Sequence, residues 1–233
     1  MGTEQSDGGA VGLVVDVPTG PVQQTRPPLD CGRPGGDLAS MWSVQTLKKD
    51  DWSLLKDVRI RSLDTAADVL AGDLATFLDF QAHRWRDQIR HREWFVVREA
   101  GRPIAVAALN KSALTDPGEC AVIQQPHAHI ESMWVEPHLR RSGIASKLVI
   151  AAIEEVEKEV NKSRLIGLWV FENNRNAADA FGSMGFKRSG QYCQEYLGES
   201  EQERQRPPRR EYHMHLDLGG QGVASLRKRS RKT

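Results

Sequence analysis

The stretch Val135-Glu136-Pro137-His138-Leu139-Arg140-Arg141-Ser142-Gly143-Ile144-Ala145 decides how this chain is read. It closes an apolar run, about His129 to Val135, of strand length, and Pro137 ends that strand. It then opens a helix near Gly143, because Ile144, Leu148, Ala152, Val156 and Val160 recur at four-residue steps. The first turn of a helix has several N–H groups without partners, and the helix dipole favours an anion there. Gly143 and Ala145 let a backbone approach a ligand closely, and Arg140 and Arg141 add positive charge. Strand, short loop and helix start together form a pyrophosphate-sized cradle. By itself the same spelling also describes a glycine opening a helix beside two solvated arginines.

Outward from this stretch the elements alternate. A short strand, Met41 to Leu47, precedes a helix that Asp50 or Asp51 can cap and that carries Leu54, Leu55, Val58 and Leu63. A second helical stretch holds Leu74, Phe77, Leu78 and Trp85. Trp94 to Val97 and Ile104 to Leu109 flank Ala100-Gly101-Arg102-Pro103 as a hairpin. Downstream come a strand from Leu165 to Phe171 and a short helix around Ala177 to Met184. Two late strands follow, about Gln191 to Leu197 and Glu211 to Leu218. The order β-α-α-β-β-β-α-β-α-β-β predicts a single α/β domain with a mixed sheet over 41–218 and no internal repeat.

The two ends read differently. Residues 1–40 are rich in Gly, Pro, Asp and Thr and lack apolar periodicity, which predicts a disordered N-terminal tail. Residues 219–233 read as a basic, flexible C-terminal tail, with Arg227, Lys228, Arg229, Arg231 and Lys232 solvated. The chain of 233 residues carries 32 Lys plus Arg against 31 Asp plus Glu, so nucleic acid has no support as a partner. The longest apolar run, Leu148 to Ile153, is far below a membrane span, so no membrane partner is expected either. Cys31, Cys120 and Cys193 have no disulfide or metal spacing, which fits reduced thiols in a cytoplasmic protein without a metal.

Val135, Pro137, Arg140, Gly143 and Ala145 resemble motif A of the GNAT superfamily of N-acetyltransferases. Asn174, Ala177, the aromatic Phe181 and Gly185-Phe186 resemble its motif B, and the specific motifs lie between about His129 and Gly190. The resemblance implies a GNAT-like fold and acetyl-CoA as acyl donor. The backbone of Met133, Trp134 and Val135 would pair with the pantetheine arm as an added strand. The main-chain amides of Arg140, Arg141, Ser142, Gly143, Ile144 and Ala145 would hold the pyrophosphate. Asn174 would either lie near the pantetheine or cap its helix, and Trp134 and Trp169 would pack.

Attack on a thioester needs a neutral amine, so a carboxylate or imidazole must take a proton. His129 and Glu131 fall on one strand face if the strand is regular, and a bulge would alter that. Both are candidate bases; the plain alternatives are a solvated strand end for His129 and an ion pair for Glu131. His127 is a weaker candidate, and His213 and His215 read as structural. Phe181 stands where many members of the superfamily place a tyrosine acid, and a phenyl ring has no proton to give. Tyr192 and Tyr196 are near it in sequence only. The acceptor side, by resemblance, is formed by about Leu63 to Trp85 and the loop Glu199 to Arg210. The expected activity is acetyl transfer to a primary amine, on a small molecule or a protein, directly within a ternary complex. The alternative is an acyl-CoA-binding regulatory module without chemistry. A homodimer stays open.

Overall fold

The computed structural model describes residues 42–70, 72–111, 127–158, 165–195 and 209–230, all within one unit, Asp37–Thr233. The expected tail over residues 1–40 lies outside them, as do Cys31, Cys120, Val160 and Tyr196. Seven strands make one sheet: β1 (Val44–Thr46), β2 (Glu93–Glu99), β3 (Arg102–Asn110), β4 (His127–Val135), β5 (Leu165–Phe171), β6 (Lys187–Glu195) and β7 (Arg209–Asp217). Their order across the sheet is β1-β2-β3-β4-β5-β7-β6; β4 and β5 run parallel and every other pair antiparallel. The mixed α/β architecture matches the sequence reading.

The β2–β3 hairpin turns on Ala100 and Gly101, both at positive φ (49° and 83°), so Glu99 faces Arg102 directly. Helix α1 (Trp52–Ala66) buries Leu55, Val58 and Leu63, and Asp51 accepts the Lys48 N–H through its carboxylate. The second helical stretch divides in two, α2 (Leu74–Leu78) and α3 (Ala82–His91). Asp73 caps α2 by accepting the Ala75 and Thr76 amides.

Each sheet face has its own apolar layer. Phe95, Val97, Ala105, Ala107, Leu109, Ile130, Ile166, Leu168 and Val170 pack under α4 (Ile144–Glu157) and α5 (Arg175–Met184). The opposite residues of the same strands, Trp94, Val96, Val106 and Ala108, pack under α1 and α3 with Trp85. This alternation is the two-residue period of a strand covered on both sides.

The chain after Gly220 departs from expectation. It forms a helix, α6 (Gln221–Ser230), rather than a flexible basic tail, although residues 231–233 lie outside the description. Val223 and Leu226, three residues apart and 3% and 2% exposed, join the core beside α4. Arg227 pairs with Glu157 of α4. Gly185 ends α5 at φ 101°, and a Cβ there would meet the Gly222 Cα at 3.3 Å. Composition suggested solvation because basic residues outnumber apolar ones; two buried side chains suffice to dock a helix face.

Leu226→Ala is expected to lower stability by ~2–4 kcal/mol, read from urea denaturation. An unchanged midpoint would mean that α6 contributes nothing to the core. A second expectation concerns pH. Lys111 and then Lys158 donate to the Glu155 carboxylate and hold its pKa below the ordinary value. A depressed folded pKa stabilises fully above the unfolded carboxylate value, about 4.3, and the stabilisation fades as pH falls through the folded one. The Tm gap between the native chain and Glu155→Gln should therefore be present at pH 7 and close in acid.

Candidate functional site

The turn between β4 and α4 is built as the sequence suggested. Pro137–Leu139 forms one 3-10 turn, and Ser142 donates its hydroxyl to the Leu139 carbonyl at 2.6 Å. Arg141 (φ 65°) and Gly143 (φ 88°) both adopt the left-handed conformation, the first at the cost a side chain imposes there. Gly143 is the N-cap of α4, and no side chain caps that end. Among the described residues the amides of Ile144, Ala145 and Ser146 have no acceptor, while the Lys147 amide is the first to return a bond, to the Gly143 carbonyl. Unpaired amides at the start of a fourteen-residue helix suit an anion. Arg140 and Arg141 are exposed, and Arg140 donates through Nε to the Val135 carbonyl at 3.2 Å.

Strand β4 is not regular. Val106 faces Trp134 and Ala108 faces Glu131, so β4 holds one residue more than β3 across that interval. Ser132 (φ 53°) marks the bulge. Its effect is visible in the packing: Ile130 and Val135 lie on the α4 face, whereas Trp134 joins the α1 face. Met133 packs, partly buried, on the α4 side. Pairing of β4 with β5 is confined to His127–Leu165, Ala128–Ile166 and His129–Gly167, while β5 pairs with β7 along its whole length. The backbone of Ile130–Val135 is thus left open on the β5 side, among the described residues, in a cleft that leads to the Gly143 turn.

His129 and Glu131 precede the bulge and share the face opposite α4. His129 is 8% exposed, which replaces the solvated strand end with a buried imidazole. Its ring lies 6.5 Å from Trp169 and 5.4 Å from His213, and His213 contacts Ser189 through Nδ1 at 3.1 Å. His215 continues the row, stacked on His213. The side chain of His127 lies outside the described residues. Glu131 does form an ion pair: Arg92 donates Nε to Oε2 at 2.6 Å, and Asn110 donates Nδ2 to Oε1 at 2.9 Å.

Arg92 and Asn110 escaped the sequence reading, because their relation to Glu131 comes from strand pairing over gaps of 39 and 21 residues. Arg59 escaped it too. It sits on the core side of α1, 3% exposed, with its guanidinium 5.3 Å from the Phe77 ring and 5.9 Å from the Trp94 ring. Burial pulls its pKa down to about 10; Arg92 pushes the same way and Glu131 opposes. Helical spacing with Leu55, Ser62 and Leu63 was the signal that could have placed it inward.

Motif-B residues take structural parts. Asn174 caps α5, its Oδ1 accepting the Ala177 amide at 3.2 Å. Phe181 is buried edge-on against Phe186, with ring centroids 5.6 Å apart. Tyr192 is exposed and packs near Tyr212 and Arg210. Trp134 packs in the α1 layer and donates Nε1 to the Thr65 hydroxyl at 3.2 Å. Trp169, half-buried, lines the histidine row. Among the described residues no three His, Cys, Asp or Glu side chains converge as a metal site, and no helix is long and apolar enough to cross a membrane.

Known proteins share this architecture. Residues 60–186 match the model of the acetyltransferase (GNAT) family, and the chain belongs to that family. An uncharacterized N-acetyltransferase of Methanocaldococcus jannaschii is 24% identical over 170 residues, covering 64% of this chain and 70% of that one. A GNAT-family acetyltransferase of Streptococcus pneumoniae superposes with a TM-score of 0.56 at 14% identity, over 76% of this chain and 98% of its own. A protein of Salmonella typhimurium, solved with its cofactor acetyl-CoA, superposes with a TM-score of 0.53 at 17% identity, over 76% and 94%.

Gly143→Ala puts a side chain at φ 88° and is expected to cost ~1–2 kcal/mol. Urea denaturation checks it, and an unchanged stability would show that the turn does not require the left-handed conformation.

Proposed function

We propose that this protein is an N-acetyltransferase that moves the acetyl group of acetyl-CoA to a primary amine by direct transfer in a ternary complex. The observation that carries the reading is the cleft where β4 leaves β5, opening onto the unpaired amides of the Gly143 turn. Those donors fit a pyrophosphate, and the open backbone of Met133, Trp134 and Val135 fits an amide-bearing arm laid alongside as a further strand. Asn174 keeps its Nδ2 for such an arm, since the cap uses Oδ1. Acetyl-CoA held by the Salmonella typhimurium protein supports the same donor here. A cytoplasmic setting accords with the reduced thiol of Cys193.

Bound acetyl-CoA supplies an acetyl group already activated as a thioester. The work left to the chain is to hold it, orient the amine and take the amine's proton. His129 is assigned the proton, because it is the last β4 residue paired with β5 and so stands where the cleft begins. Glu131 is assigned the orientation of the amine, because both its oxygens already accept bonds from Arg92 and Asn110. Phe181 packs on Phe186 and offers no proton, so the thiolate departs unassisted or is protonated by water.

That buried Phe181 equally suits an acyl-CoA-binding module without turnover, and one experiment separates the two readings. Release of CoA thiol is followed with a panel of primary amines, using the native chain, His129→Gln and Glu131→Gln. His129→Gln should lower kcat by about 10²-fold or more, with acetyl-CoA affinity unchanged and the pH dependence of kcat altered. Tight acetyl-CoA binding with no turnover on any amine would leave the module reading in place.

A further inference from the structure

The guanidinium of Arg59 is a buried cation without a counter-charge of its own. It forms no ion pair among the described residues, and its one side-chain hydrogen bond runs from Nη1 to the Ser62 hydroxyl at 3.4 Å. Its Nε is sealed from solvent and has no acceptor. Arg92 and Glu131 are close enough to act on it electrostatically, yet Glu131 is already held by Arg92 and Asn110. Two guanidinium groups therefore share one carboxylate, which leaves one positive charge uncompensated. An isolated buried charge is costly, and buried charges are normally paired.

The free side of this guanidinium has a definite shape. With Nη1 on Ser62, the Nε–Nη2 edge is the one that lacks an acceptor, and its shape matches the two oxygens of a planar carboxylate. The rings of Phe77 and Trp94 flank the guanidinium, and the Trp94 ring would hold the pair in one orientation. Phe77 stands on α2, a helix of only five residues, and forms the wall that a ligand has to displace.

We infer that the amine acceptor carries a carboxylate, and that Arg59 receives it on the Nε edge of its guanidinium, beside Glu131 and Arg92. The reading rests on the proposed acetyltransferase activity and narrows its substrate class to amino acids or related amino-carboxylates. Arg59 is then a specificity-determining residue. Glu131 keeps lone pairs on both oxygens beside its bonds to Arg92 and Asn110, and one of them would accept an amine N–H on the same face.

The test uses the full chain with glycine, leucine, phenylalanine and glutamate, each beside its α-carboxamide. Thermal shift without acetyl donor and kcat/KM with acetyl-CoA are read for the native chain, Arg59→Met and Arg59→Lys. At least one amino acid should raise the Tm of the native chain while its carboxamide does not, and it should be the better acceptor. In Arg59→Met that discrimination should collapse, with kcat/KM for the acid lowered about 10²-fold and acetyl-CoA affinity unchanged. Arg59→Lys, which keeps the charge and loses the fork, should fall between.

Equal stabilisation by acid and amide, no stabilisation by any acid, or discrimination that survives in Arg59→Met would each overturn the inference. If Arg59→Met does not fold, the acid–amide difference in the native chain decides. If acids stabilise the native chain but not Arg59→Met, and no amine is acetylated, the carboxylate site stands and the transferase reading alone falls.

Discussion

The parting of β4 from β5 after His129 is the constraint on which the rest of the site depends. A regular β4 would pair with β5 along its length, and its backbone groups would be satisfied within the sheet. The extra residue at Ser132 bends β4 and interrupts that ladder, which leaves polar backbone open in a cleft. The same bulge reverses the facing of the strand, so that Trp134 fills the α1 layer while Val135 closes the α4 layer. Ordered layers on both faces hold the opening in place, since neither layer can repack without loss of buried apolar area.

The cleft separates two electrostatic environments. At its far end, amides of the α4 start and two exposed arginines gather positive potential for an anion. At its near end, on the face opposite α4, the groups are held by fixed partners: half-buried Glu131 by Arg92 and Asn110, buried His129 among Trp169 and His213. The first environment is solvated and positive; the second is partly buried and held by fixed partners. Arg59 extends the second environment into the α1 layer, where the short α2 covers it.

Much of this was legible in the letters. The hairpin at Ala100-Gly101, the helix from Ile144, and the pairing of Pro137 with Gly143 follow from local rules of turn, break and helix start. The division of the second helical stretch at Asp79–Gln81 was not legible, because its apolar spacing runs through the break. Helix α6 was hidden by its basic composition, although Val223 and Leu226 carried the signal at a spacing of three. Arg92 and Asn110 were silent in sequence, since nothing local to them marks the carboxylate they meet, and Arg59 carried only its helical spacing with Leu55, Ser62 and Leu63.

The sequence by itself determined the turn between β4 and α4, because a strand end, a proline, a left-handed glycine and an amphipathic helix are adjacent in the chain and need no distant partner. The facing of His129 and Glu131 followed from strand alternation only once the structure placed the bulge after them, at Ser132. Tertiary structure alone decided that His129 is buried, that Glu131 is ion-paired, and that Arg59 waits without a carboxylate. Burial and charge compensation are properties of what surrounds a side chain, and here those surroundings come from α1, β2, β3 and β7, far apart in the chain.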